Sequence, residues 1–131
     1  KRALRIGLQW DTEVTLSGAS HLVSQAFCSA LPVAYATHPP ALWARFARLI
    51  LEASYESTVC AAMLNAARTK NNTLFLTLLG GGAFGNDEAW ITDAMRHALS
   101  EHRDSGLDVA IVSYGRSQPC VREVVRDLSG G

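Results

Sequence analysis

Gly80, Gly81, Gly82 and Gly85 fall within one short run, Gly80-Gly81-Gly82-Ala83-Phe84-Gly85, and Asn86 and Asp87 follow at once. Glycines let backbone N–H groups approach an anion closely, and a helix start adds the positive end of its dipole. The chemistry on offer is the binding of phosphate or pyrophosphate. Asp11 and Glu13 are the acidic pair that could polarise a water or a ribose hydroxyl if they face a ligand. Two solvated carboxylates at a strand end is the simpler reading of them. His97 and His102 stand five apart and do not share a helical face well, so no metal site is expected. Ser113 and Ser117 have no base at a readable spacing. No catalytic group is assigned.

These residues need elements to place them. The run Thr73-Leu74-Phe75-Leu76-Thr77-Leu78-Leu79 reads as a buried strand that passes into the glycines. Asn86 and Asp87 are good helix N-caps, and Ala89, Trp90, Ile91, Ala94, Met95, Ala98 and Leu99 follow with helical spacing. The unit is strand, glycine loop, helix, with the loop at the carboxyl end of the strand, where open α/β sheets bind ligands. Strands are predicted over 4–10, 22–29 and 108–114, with 30–35 extended. A long helix over 41–69 begins near Pro40 and stops at Lys70-Asn71-Asn72, its inward stripe running through Trp43, Ala47, Ile50, Ser57, Cys60 and Leu64. A short helix over 120–128 closes the chain. The order is β β α β α β α, and the last two strands should be parallel.

With 131 residues, 48% of them apolar and 18% charged, the composition is that of one globular α/β domain. Twelve basic residues balance twelve acidic ones, so charge gives no case for duplex nucleic acid or an anionic membrane surface. The three cysteines, Cys28, Cys60 and Cys120, are odd in number and far apart. They read as reduced residues of a cytoplasmic protein. No apolar run is long enough to span a bilayer, and no signal-peptide pattern opens the chain. Lys1 at the start reads as a trimmed product, and Gly130-Gly131 as a frayed end.

From about residue 49 to 128 the chain resembles the second half of a macrodomain, the ADP-ribose-binding fold. Leu51-Glu52-Ala53-Ser54-Tyr55-Glu56-Ser57-Thr58 resembles the family's helix before the loop strand. Leu79-Gly80-Gly81-Gly82-Ala83-Phe84-Gly85 resembles its Ile-Ser-Thr-Gly-Ile-Tyr-Gly diphosphate loop. The resemblance implies a three-layer α/β/α sheet with parallel C-terminal strands. It implies bends at Gly82 and Gly85, with Phe84 beside the distal ribose and Tyr114 against the adenine side. The triple glycine is also similar to poly(ADP-ribose) glycohydrolases, but the paired glutamates of their signature are absent. The acidic adenine residue, the Asn-Ala-Asn stretch and the first glycine loop of a macrodomain's N-terminal half are absent too, so that half is missing or reduced.

The expected function is therefore binding of ADP-ribose or a related nucleotide diphosphate, free or on a modified protein, through Gly80, Gly81, Gly82, Ala83, Phe84, Gly85, Asn86 and Tyr114. ADP-ribosyl hydrolysis would be an added activity, and no cofactor is implied. One alternative is a half-domain that completes a macrodomain with a second chain or self-associates through an open sheet edge. Another is a nucleotide-dependent oxidoreductase, because Gly80, Gly82 and Gly85 also spell G-x-G-x-x-G. That reading needs an acidic residue at the end of the next strand, and this strand ends in Ser113-Tyr114-Gly115 instead.

Overall fold

The computed structural model describes residues 3–129, so the readings of Lys1 and of Gly130-Gly131 lie outside it. The elements are β1 (Gly7–Glu13), β2 (Leu22–Phe27), a 3-10 turn (Val33–Tyr35), α1 (Pro40–Thr69), β3 (Thr73–Thr77), α2 (Glu88–Glu101), a second 3-10 turn (Arg103–Ser105), β4 (Asp108–Val112) and α3 (Pro119–Ser129). The order of strands and helices is the expected one. The fold is mixed α/β, built on two separate strand pairs: β1 antiparallel to β2, and β3 parallel to β4.

The long helix α1 organises both pairs. Pro40 occupies its first position, where the missing N–H has no intrahelical partner to lose. Lys70 turns left-handed at φ 66° and donates its N–H to the Ala66 carbonyl at 2.9 Å, ending the helix. Asn71 Oδ1 then accepts the Thr73 N–H at 3.0 Å, and the chain doubles back as β3. Its far end is tied to mid-α1, where the Tyr55 hydroxyl donates to the Thr77 carbonyl at 2.7 Å and accepts the Leu79 N–H at 3.0 Å. β2 is tied to the same helix in the same sense. Ser24 donates to Asn65 Oδ1 at 3.3 Å, and Cys28 Sγ lies 3.8 Å from Thr58 Oγ1. Both strands therefore run antiparallel to α1 and parallel to each other.

Alternation sets what is buried. Leu74 and Leu76 of β3 pack with Leu51, Tyr55 and Val59 of α1, with Ile91, Met95 and Ala98 of α2, and with Val124 of α3; Val109 and Ile111 of β4 lie against the same cluster. Each fully buried aliphatic side chain of this size contributes roughly 1.5–3 kcal/mol. Thr73, Phe75, Thr77, Ala110 and Val112 point the other way and are exposed. Helices thus cover one face of the β3–β4 pair, where the sequence predicts helices on both. The outer face carries Thr73 and Thr77 beside Phe75, Ala110 and Val112, which stay exposed among the described residues.

Other expectations shift. Residues 33–35 form a 3-10 turn inside a segment predicted to be extended. On α1, Cys60 and Leu64 are exposed and the buried line is Leu51, Tyr55 and Val59. Apolar residues ring that helix, so periodicity alone admits more than one inward face. Among the described residues no helix is long and apolar enough to cross a membrane.

Candidate functional site

Thr77 and Val112 are partners in the parallel β3–β4 ladder, so both strands end at one edge. The glycine loop leaves from that edge after β3, and Tyr114 leaves from it after β4. The structure thus brings the loop and Tyr114 to the same side of the molecule.

The loop is closed on itself by backbone bonds. Gly81 donates to the Leu78 carbonyl at 3.2 Å, Gly85 to Gly82 at 3.0 Å and Asn86 to Gly80 at 3.0 Å. Gly80 and Gly85 are left-handed, with φ of 75° and 65°. The segment before α1 presses against them: a Cβ on Gly80 would lie 2.4 Å from the Ala30 Cβ, and one on Gly85 would lie 2.8 Å from the Ala34 Cβ. Only glycine meets both the backbone sign and the contact. Gly82 lies in a bend of the loop, as the resemblance implies, but the contact that demands glycine is elsewhere. Gly82 is not left-handed, and a Cβ there would meet nothing within 4 Å. The two left-handed glycines are Gly80 and Gly85, and Gly82 is the open tip between them.

Asn86 was expected to face the ligand, and it faces inward. It is 5% exposed, and its Nδ2 donates to the carbonyls of Leu31 at 2.8 Å and Gly80 at 3.3 Å. It braces the loop against the 30–34 segment, while its Oδ1 is buried without a partner among the described residues. The N-cap of α2 is Asp87, whose carboxylate accepts the Ala89 N–H at 2.8 Å. The helix terminus is therefore already met by an anion, and the loop before it offers further donors. Among the described residues the backbone N–H groups of Gly82, Ala83 and Phe84 have no intramolecular acceptor. These are three consecutive donors at an exposed tip.

Phe84 is half-buried, and its carbonyl accepts the Ala34 N–H at 2.9 Å. The ring of Tyr35 meets it edge to face, centroids 6.3 Å apart at 80°. Tyr114 is fully exposed.

No protein-family model, curated protein or solved structure matches this chain.

Asp11 and Glu13 are not at this edge. Asp11 is bound to Arg68 in the last turn of α1, beside the start of β3, whereas the loop follows the end of β3. The reason lies in the β1–β2 hairpin: β2 ends beside the loop, so the antiparallel β1 ends at the opposite edge. Arg68 holds the Asp11 carboxyl below the usual carboxylate range, chiefly by hydrogen bonding to it and also through its charge.

Several residues that shape the site were not singled out by sequence. Ala30 and Ala34 set the glycine requirement, Tyr35 backs Phe84, and Tyr55 staples the strand end. The Tyr55 phenol is pushed up to about 12, first by burial. Its sequence signal was a lone polar-tipped aromatic on the buried side of a helix, which must find a partner. A cleft of about 770 Å³ separates β2 from β3, and a smaller cavity of about 240 Å³ lies beside His102 and Leu128. Neither is lined by residues 80–86.

Proposed function

We propose that this chain binds ADP-ribose or a related nucleotide diphosphate at the carboxyl edge of β3 and β4. The observation that carries the reading is the set of unpaired N–H donors on Gly82, Ala83 and Phe84, on a loop whose ends are fixed by Gly80, Gly85 and Asn86. Successive backbone N–H groups in such a turn form an anion-binding concavity. A diphosphate spans it, with the Phe84–Tyr35 pair flanking one sugar and the exposed ring of Tyr114 offering a stacking surface to the base. The macrodomain-like order of loop, helix, strand and aromatic residue favours the same ligand.

The reading is one of binding rather than of ADP-ribosyl hydrolysis, because Asp11 and Glu13 lie at the other edge. Hydride transfer with a dinucleotide is less favoured, because β4 ends at Val112 and passes into Ser113-Tyr114 with no carboxylate for a ribose hydroxyl.

Calorimetry with ADP-ribose, NAD and AMP tests it. ADP-ribose should bind at micromolar concentration, and AMP, lacking the diphosphate, at least tenfold more weakly. Absence of binding by folded protein overturns the reading.

A further inference from the structure

The cleft between β2 and β3 has walls of an unusual kind. Residues 22–28 line one side without a gap, and residues 73–77 line the other without a gap. Side chains of a strand alternate between faces, so an uninterrupted run along a cavity means that the backbone edge faces it. β1 contributes only Leu8, Trp10 and Asp11, which places β2 and not β1 beside the opening. Among the described residues β2 pairs with β1 alone and β3 with β4 alone. Both facing edges therefore carry unpaired N–H and C=O groups.

The floor is one stripe of α1: Tyr55, Thr58, Ala61, Ala62, Asn65 and Thr69. Its centre, Ala61 and Ala62, is small. Size fits as well. One residue of a strand inside a sheet occupies about 3.3 Å along the strand, 4.8 Å across it and 10 Å between layers, or roughly 160 Å³. The cleft of about 770 Å³ therefore holds one strand of about five residues, the length of β3. Among the described residues the only charged one in its lining is Asp11, which Arg68 neutralises.

We infer that the cleft is a strand-docking slot, filled by an uncharged extended peptide segment of about five residues from a partner polypeptide. The segment pairs with β2 on one side and β3 on the other, closing the two pairs into one five-stranded sheet. Main-chain hydrogen bonds supply the affinity, and apolar side chains at alternate positions descend onto Ala61 and Ala62. An edge strand left open is a template for pairing, and here two such edges face one gap. The inference stands on residues separate from the nucleotide-binding loop and survives its failure.

The probe is a synthetic acetylated peptide of alternating valine and threonine, five residues long with a terminal lysine for solubility. The readout is amide hydrogen exchange of the full chain. Saturating peptide should slow alternate amides of both β2 and β3 at least tenfold. A peptide with proline at its central position should slow neither, since it lacks the donor and cannot sit between two strands. Ala62→Phe, which fills the floor, should reduce the protection at least tenfold. Three results overturn the inference: no protection at millimolar peptide, equal protection by the proline peptide, or protection of one edge only. A concentration-dependent dimer that protects both edges without peptide also overturns it, in favour of a second copy as occupant. ADP-ribose calorimetry on the same samples reads the loop separately.

Discussion

Asp11 and Arg68 meet through both carboxylate oxygens and both terminal guanidinium nitrogens, at 2.7 and 2.8 Å. The contact pins a β-bulge to the end of α1. Gln9 pairs with Gln25 and Thr12 with Val23, so Trp10 and Asp11 together oppose Ser24. Asp11 is left-handed at φ 54°, and the same guanidinium lies 5.3 Å from the Trp10 ring centroid. One arginine thus grips both bulged residues.

Asp11→Asn should lower the melting temperature at neutral pH, and Asp11→Ala should lower it further, since asparagine tolerates the left-handed backbone better. Because the carboxyl titrates lower in the folded state than in the unfolded chain, its contribution is present above the ordinary carboxylate pKa and is lost as pH falls through the folded value. The melting-temperature gap between wild type and Asp11→Asn should therefore close on acidification. A gap that stays constant down to the acid limit would remove the ion pair from the account.

Tyr55→Phe should destabilise the fold by about 0.5–1.5 kcal/mol, because it removes the hydroxyl's two hydrogen bonds and leaves the Leu79 N–H and the Thr77 carbonyl only each other, at 3.0 Å. The tyrosine, raised to about 12, stays neutral in the folded chain while the unfolded chain ionises near 10. Stability should fall as pH rises between those values, by roughly 2 kcal/mol, and Tyr55→Phe should show a shallower fall. Urea titrations at several alkaline pH values read both effects.

Gly82→Glu should fold like wild type and lose nucleotide binding, since its side chain enters open space where the phosphate would sit and adds a like charge. Gly80→Ala should instead destabilise the fold by roughly 1–3 kcal/mol, from its left-handed backbone and the contact with Ala30. Gly106 lies at the other edge but is left-handed at φ 71°, so a substitution there is strained. Leu16→Glu, on an exposed turn between β1 and β2, is the better control. Wild-type affinity in folded Gly82→Glu would defeat the loop assignment.

Tyr114→Ala should leave the melting temperature within about 1 °C, because the ring is fully exposed. Its ADP-ribose affinity should fall by about 1–3 kcal/mol, with Tyr114→Phe close to wild type. Equal affinities for Tyr114→Ala and wild type would leave the ring without a role in binding.

Element order was legible because turn chemistry punctuates this chain: His38-Pro39 before α1, Lys70-Asn71-Asn72 after it, Asp87 before α2 and Gly106 before β4. The glycine loop was legible as a unit, but the roles within it were not. Which glycine must be left-handed depends on Ala30 and Ala34, whose contact arises only when a segment some 50 residues away docks. The edge on which Asp11 lies was not legible for a related reason. A strand end can be read from sequence, but the edge it occupies depends on β2 being antiparallel to β1 and parallel to β3.

The Asn86 brace has a kinetic consequence. Its bond to Leu31 spans 55 residues, whereas the β3–α2–β4 unit closes over the shorter span from Thr73 to Asp108. Long-range closures carry the larger entropic cost and tend to form late, so the loop should acquire its final shape after the rate-limiting barrier. Asn86→Ala should then accelerate unfolding several-fold in stopped-flow measurements while refolding stays nearly unchanged. Slower refolding would instead place the brace within the folding nucleus.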